Sequence, residues 1–410
     1  MIHHTAYRTL ARTDVAPYLA EVPSLTHLLG GRAADWSVRE VSDGNLNMVW
    51  IVEGPARAVC VKQSLPHVRV DPAWSMPLDR TAFEAAYLRE VEPLVPDLIA
   101  RPLHFDPVQF VLVTEALRPH RVVRGMLIDG IVPTGLGAAI GRYVATTGIG
   151  TSLLAAPFET MMGRIATFAA NTTLTRITVD LVMTDPFRAH PRNRPMRPEL
   201  EALEWDLSCD RALAAAVARL RARFLGTPQA LLHGDLHTGS IMAHDGDIRV
   251  IDGEFALCGP VGFDAGMFLA NLLLSGFANP HTDGAMDEIA PFWTTFVAQA
   301  QTLWQALETA GGDVYDAWAL SHADERAVPC AAWRAEIWRD MLGFCGLEMI
   351  RRTIGYAQVA DYAVAPDRAR EAARRHRAVT FARRLLTVPE ALPSVTWLLD
   401  AAQDARREPV

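Results

Sequence analysis

The chain has 410 residues, half of them hydrophobic and 21% charged, with a net charge of −8. That length is enough for two or three lobes around a sizeable core, and the acidic balance speaks against a nucleic-acid partner, which needs a basic face. The cysteines, Cys60, Cys209, Cys258, Cys330 and Cys345, are odd in number and lack C-x-x-C spacing, as expected for a reduced, cytoplasmic chain with free thiols. Residues 1–17 carry no apolar signal-peptide core, and the longest apolar run falls short of the roughly 20 residues of a membrane span, so no membrane partner is expected.

From Trp36 to Leu117 the pattern is β-rich with one helix. Residues 48–52 read as a strand, Glu53-Gly54-Pro55 as a turn, and residues 58–62 as the returning strand. Residues 79–91 carry Phe83, Tyr87 and Leu88 at helical spacing, and 110–113 form a short buried strand that ends at Thr114 and Glu115. Beyond Leu117 helices dominate. Pro186 to Pro198, rich in proline and arginine, reads as an exposed loop. Leu213, Val217, Leu220 and Phe224 form one apolar stripe. The short apolar runs at 230–232 and 248–251 each meet an acidic motif, 265–278 reads as a buried helix, and 371–386 as a further helix. The pattern predicts an α+β, bilobal chain, with a small β-rich lobe over 1–117 and a large, mainly helical lobe over 118–410.

Phosphoryl transfer needs a phosphate cradle, a lysine on the phosphates, metal ligands and a carboxylate that orients the attacking hydroxyl. All four can be placed here in the order a kinase would have them. His233-Gly234-Asp235-Leu236-His237-Thr238-Gly239-Ser240 resembles the H-R-D-L-x-x-x-x-N catalytic loop of protein kinases, with Gly234 in the arginine position. Asp235 would accept a hydrogen bond from the acceptor hydroxyl and take its proton late. The plainer alternative is an Asx turn after a strand. Asp252-Gly253-Glu254 follows the 248–251 run, where the D-F-G metal ligand belongs. A kinase asparagine is replaced by Ser240, a weaker ligand, and Glu254 could supply the missing oxygen beside Asp252 for Mg²⁺. Alone, D-G-E is often a surface turn; placed after H-G-D it points to a metal site.

In the first lobe, Gly44, Asn45 and Asn47 could turn the backbone toward the phosphates of ATP, or could form an ordinary hairpin turn. Lys62 ends a largely apolar strand, where the V-A-I-K lysine sits, in a chain with few lysines, and Glu84 is its candidate ion-pair partner. Glu115, Ala116 and Leu117 would form the hinge whose backbone meets adenine. Arg118, His120, Arg121 and Arg124 read as a solvated charge run, and His233 and Asp264 as braces of the catalytic loop.

These motifs are similar to those of the S-methyl-5-thioribose kinases. The likeness is carried by Asp43-Gly44-Asn45-Leu46-Asn47, by the 233–240 loop, and by Gly259-Pro260-Val261-Gly262-Phe263-Asp264. It continues in residues 177–182 with Thr184-Asp185-Pro186, and in Glu348-Met349-Ile350-Arg351-Arg352-Thr353-Ile354-Gly355. The resemblance implies a bilobal protein-kinase-like fold with an N-terminal ATP-binding lobe and a C-terminal catalytic and substrate-binding lobe. It implies ATP-dependent phosphorylation of S-methyl-5-thio-D-ribose at its 1-hydroxyl to S-methyl-5-thio-α-D-ribose 1-phosphate, in methionine salvage; a kinase of another sugar, an aminoglycoside or a choline-like acceptor is the alternative. It further implies that Arg351 and Arg352 hold the sugar or the transferring phosphate, a task suited to bidentate guanidinium contacts. Taken without the likeness, the pair would read as an exposed helix face. The resemblance leaves room for a homodimer and sets Trp74 near the nucleotide or in simple packing. Two departures stand out: Gly253 replaces a usual proline and would loosen the metal turn, and Cys258 replaces a common aromatic residue. Asp180 and Asp185 receive no role.

Overall fold

The structure is a computed structural model that describes residues 6–41, 46–69, 71–279, 284–307 and 323–408. It divides into two compact units, Met1–His120 with Arg249–Ala256, and Arg121–Ile248 with Leu257–Val410.

The first unit is built on a five-stranded antiparallel sheet. Its order is Ser37–Glu40, Asn47–Glu53, Ala58–Ser64, Val111–Glu115, Pro102–Asp106. The strand expected at 110–113 therefore starts one residue later and runs through Glu115. Side chains alternate across a strand, so Val59 and Val61 enter the core with Trp50, Val52, Val111 and Val113, beneath the helices Arg12–Ala20 and Pro23–Leu29. The same alternation sends Cys60 and Lys62 to the other face, where the helix Arg80–Val91 packs against the Ala58–Ser64 strand. In register, Lys62 lies opposite Val49 on one side and Leu112 on the other.

The segment Arg249–Ala256 is tied into this unit by backbone. Val250 N–H donates to the Leu98 carbonyl (2.7 Å), and Ala100 N–H donates to that of Val250 (3.4 Å). Asp252 then adopts φ 71°, the left-handed region, which aspartate tolerates better than most residues. The 3₁₀ turn Gly253–Phe255 packs on the Arg80–Val91 helix. A Cβ on Gly253 would stand 2.6 Å from Tyr87 Cδ1. Glycine at this position is therefore explained by close packing rather than by a looser turn.

The second unit is mainly helical. The helix Gly262–Ala278 is buried at every residue and packs along Ala323–Ile354. Its sequence has no polar stripe because it has no solvent face. The helices Leu136–Gly150 and Ile289–Ala306 also cross closely. Cβ atoms added at Gly137 and Gly141 would lie 2.0 Å and 2.3 Å from the carbonyl oxygens of Glu288 and Phe292, so this crossing requires glycine. The strand Ala230–Leu232, paired antiparallel with Leu257–Gly259, delivers the chain into the 233–240 loop. The stretch 186–198, expected to be exposed, is anchored from within. Asp185 is buried and receives Arg192 Nε (2.7 Å) and Arg188 Nη2 (3.1 Å), while Asn193 Nδ2 donates to the Asp185 carbonyl (2.9 Å). Asp185 thus has a structural role as the knot of that loop. No helix among the described residues is long and apolar enough to cross a membrane.

Candidate active site

Two groups of chemically active side chains emerge, one in each unit. The first surrounds Lys62. Its Nζ pairs with Asp252 and lies 2.7 Å from Glu84 Oε2 and 4.0 Å from Glu254 Oε2. Burial alone would drive the ammonium to give up its proton. The charges of Asp252, Glu84 and Glu254 outweigh that, and its pKa is raised well above the ordinary value. Lys62 is also the only lysine in the chain.

The carboxylates behave in the complementary way. Burial raises Glu84, against the pull of Lys62, and burial likewise raises Glu254, with the Asp252 charge adding to the effect. Glu254 is fixed by a relay that sequence reasoning missed. Asn47 Nδ2 donates to Glu254 Oε2 (2.7 Å), and Arg80 Nη2 donates to Asn47 Oδ1 (2.7 Å). Arg80, fully buried, also donates to the carbonyls of Leu46, Leu65 and Pro77. No local signal marks Arg80, because its partners other than the Pro77 carbonyl are distant in sequence. Asn47 is thus committed to Glu254 and Arg80. Gly44 and Asn45 lie outside the described residues. Glu115 closes its strand and accepts the Arg101 N–H (3.0 Å), and Ala116 and Leu117 follow it half-buried.

Carboxylate oxygens of Glu84, Asp252 and Glu254 come within 4.8 Å of one another. A set of hard oxygen donors, one exposed and two buried, matches what Mg²⁺ asks of a protein. The three residues fit such an ion.

The second group centres on Asp235. Asp264 shapes the loop that carries it: Asp264 Oδ2 accepts the His233 N–H (2.7 Å), and Oδ1 that of Gly234 (3.0 Å). Ser240 closes the loop, its Oγ lying 2.9 Å from the carbonyls of Asp235 and His237 and accepting the His237 N–H (2.9 Å). The serine expected as a weak metal ligand is thus engaged in loop structure. His237 Nδ1 accepts the N–H groups of Gly239 (3.0 Å) and Ser240 (3.1 Å). That leaves the ring proton on Nε2, which faces Asp235 Oδ2 at 3.4 Å. Burial, joined by the charges of Arg124 and Arg352, lowers the His237 pKa against the pull of Asp235, so the ring is neutral at pH 7.

Arg352 Nη2 lies 3.9 Å from Asp235 Oδ1. Both members of the twin arginine are buried and are held by Glu348, itself fully buried. Arg351 Nη1 reaches both Glu348 oxygens (3.1 and 3.0 Å), and Arg352 Nε donates to Oε1 (2.6 Å). Glu348 went unassigned in the sequence, although its spacing of three and four residues from the arginines on a helix is the available signal. Burial pushes Asp235 upward, but His237, Arg351 and Arg352 together outweigh it and hold its carboxyl well below the usual range. Arg124 corrects another expectation. It is drawn off the solvated charge run, with Nη2 donating to Asn271 Oδ1 (2.9 Å) and Nη1 3.0 Å from where a Gly239 Cβ would stand.

Asp235 is thus a half-buried, ionised carboxylate on a loop that follows a strand, with Arg352 and His237 beside it. Residues 37–290 match the phosphotransferase enzyme family. A methylthioribose kinase from Yersinia pseudotuberculosis serotype O:3 is 36% identical, over 93% of each chain. One from Escherichia coli is 34% identical over 97% of this chain and 98% of that one, and methylthioribose kinase 2 of Oryza sativa is 31% identical over 98% and 97%. The chain belongs to the methylthioribose kinase family. It is a kinase of kinase-like α+β fold, for which ATP is the implied co-substrate. Among solved structures, a choline/ethanolamine kinase family protein from Mesorhizobium loti aligns over 96% of this chain and 100% of that one, at 15% identity and a TM-score of 0.45.

Proposed function

We propose that the protein transfers the γ-phosphate of ATP to the 1-hydroxyl of S-methyl-5-thio-D-ribose, giving the α-1-phosphate and ADP for methionine salvage in the cytoplasm. The observation that carries this reading is the pairing of Asp235 with Arg352 in a chain related to methylthioribose kinases along almost its whole length. Residues 1–117 serve as the ATP lobe and 118–410 as the catalytic and acceptor lobe, with the 249–256 segment, which packs with the first unit, supplying the metal ligands.

In this mechanism Asp235 accepts the hydrogen bond of the 1-hydroxyl, and His237, neutral and proton-bearing at Nε2, fixes the carboxylate from its other oxygen. The sugar oxygen bonds to Pγ as the Pγ–O bond to ADP breaks, and the hydroxyl proton passes to Asp235. A carboxylate held this acidic is a weak base, so its main task is orientation, as suits a loose transition state. Arg351 and Arg352 hold the sugar and offset charge growing on the transferred group. On the donor side, Lys62, with its charge secured by three carboxylates, contacts the phosphates. Residues 115–117 meet adenine, and Asn47 serves the donor side through Glu254, which it holds. Asp252 and Glu254 would hold Mg²⁺, which supplies charge neutralisation on the phosphates.

The test is ADP release with methylthioribose against a panel of sugars, aminoglycosides and choline. Methylthioribose should give the highest kcat/KM, and Asp235→Asn should lower kcat by roughly 10²–10⁴-fold while ATP binding persists. Preference for another acceptor, or parent-like turnover by the variant, refutes the reading.

A further inference from the structure

Beside Asp235 lies a set of buried polar atoms whose hydrogen-bonding capacity is unmet. Asp361 Oδ2, Arg124 Nε and Arg351 Nε are buried and have no hydrogen-bond partner among the described residues. Asp361 itself is only 5% exposed. Leaving such groups unpaired is costly in a folded protein, which makes them a mark of an absent ligand or a strained site.

Their placement is fixed by packing. The 3₁₀ turn Ala360–Val364 packs on the short helix Val123–Ile128, which packs in turn on the Thr238–Ser240 end of the catalytic loop. The turn is pinned on its far side: the Arg375 guanidinium sits 4.4 Å above the Tyr362 ring, and the Tyr362 hydroxyl lies 3.4 Å from Thr353 Oγ1. On the near side, Val359 N–H donates to the Arg352 carbonyl (3.1 Å). Asp361 is thereby held in a rigid turn next to the twin arginine. Arg124 is anchored at one end only, through Nη2 to Asn271, which leaves its Nε–H unpaired. Burial raises the Asp361 pKa against the charges of Arg124 and Arg352, as expected for a carboxylate near cations but not bonded to them.

The charge balance selects the ligand. Three carboxylates, Asp235, Glu348 and Asp361, stand among three guanidiniums, Arg124, Arg351 and Arg352. A site balanced in this way favours a neutral molecule over an anion or a cation. The unmet atoms comprise an acceptor and two donors, which matches adjacent hydroxyl groups.

We infer that Asp361 and Arg124 form a hydroxyl-binding subsite beside Asp235, where one hydroxyl of a neutral sugar donates to Asp361 Oδ2 and an adjacent oxygen accepts from Arg124 Nε–H. The inference rests on the acceptor reading above and deepens it, because it states which groups recognise the hydroxyls that are not phosphorylated. Residues placed so far from Asp235 in sequence gave no hint of this arrangement.

The test compares methylthioribose with its 2-deoxy and 3-deoxy analogues on the full chain, for the parent, Asp361→Asn and Arg124→Lys, with the KM for ATP measured alongside. Hydrogen bonds to charged groups set the expected scale, about ten- to hundredfold. The parent should lose that much kcat/KM on at least one deoxy analogue. In Asp361→Asn that difference should collapse, while the KM for ATP stays put. Arg124→Lys, which keeps the charge but removes Nε–H, should reduce it too. If the parent ignores methylthioribose but phosphorylates another neutral polyol of the panel, the acceptor identity fails, and the same comparison with deoxy forms of that polyol still decides the subsite. A parent indifferent to every hydroxyl deletion, or an Asp361→Asn enzyme that discriminates as the parent does, overturns the inference. Should Asp361→Asn fail to fold by circular dichroism, the parent series and Arg124→Lys decide it.

Discussion

Glu348 is the residue whose replacement should be most telling, because it touches the twin arginine from beneath. Glu348→Gln keeps the shape and one acceptor oxygen but removes the negative charge that hydrogen-bonds both Arg351 and Arg352. Breaking a buried ion pair from one side costs about 3–5 kcal/mol. At roughly 2–4 °C per kcal/mol for a unit of this size, the fall in Tm should be easy to see. The kinetic effect follows from the 3.9 Å between Arg352 Nη2 and Asp235 Oδ1. Released from Glu348, the guanidinium has Asp235 as its nearest carboxylate. Two unit charges about 4 Å apart attract by about 4 kcal/mol at an effective dielectric near 20. If the acceptor must first overcome even two-thirds of that, kcat/KM for the sugar falls about a hundredfold. The assay is steady-state kinetics with each substrate varied in turn, together with thermal unfolding. A variant with parent Tm and parent sugar kinetics would show that Glu348 neither holds the arginines nor keeps Asp235 open, and the account of the acceptor group would fail.

Three further outcomes are expected. Arg352→Lys keeps the charge but loses the fork, and should lower kcat/KM for the sugar at least tenfold with little change in the KM for ATP; equal changes for both substrates would contradict an acceptor-side role. Gly253→Ala pushes a methyl group toward Tyr87, and should cost about 1–3 kcal/mol by overpacking; Gly253→Ala with Tyr87→Leu should recover part of it, and a neutral single variant would refute the packing explanation. His237 has a folded pKa below its ordinary 6.5, so the unfolded chain binds its proton first. Its stability contribution is complete above about pH 6.5 and is lost as pH falls through the lower folded value. Tm measured from pH 7.5 to pH 5 should drop more for the parent than for His237→Asn, and parallel curves would remove His237 from the acid limb.

What the sequence revealed and what it hid divide along physical lines. Asp252 and Glu254 were legible because they follow an apolar run into a turn, and Lys62 because it closes an apolar run, although its strand continues to Ser64; Glu84 followed from helical spacing. Asp235 was legible for the same reason as Asp252. Arg124 was not: Arg121, three residues earlier, is exposed and paired with Asp129. The inward course of Arg124 depends on Asn271 and on the missing side chain of Gly239. Ser240 looked like a ligand because its position in the motif carries one in protein kinases, whereas here its hydroxyl closes the loop. Gly253 looked permissive because sequence records the glycine but not the tyrosine ring above it. In each case the missing information was a contact between residues distant in sequence, which periodicity cannot report.

Every other cationic side chain that is permanently charged in this protein is an arginine, so the molecule contains one ε-amino group in all. That gives the first unit a built-in reporter. Amine acylation needs a neutral, accessible nitrogen, and the Lys62 side chain is 12% exposed with its proton held tightly by three carboxylates. Its acylation is slow while the sheet and the Arg80–Val91 helix stay together and fast once they part, so the rate at which the peptide containing Lys62 gains the acyl mass measures how often that region opens. The reading requires no engineered label, and no other lysine competes for the reagent.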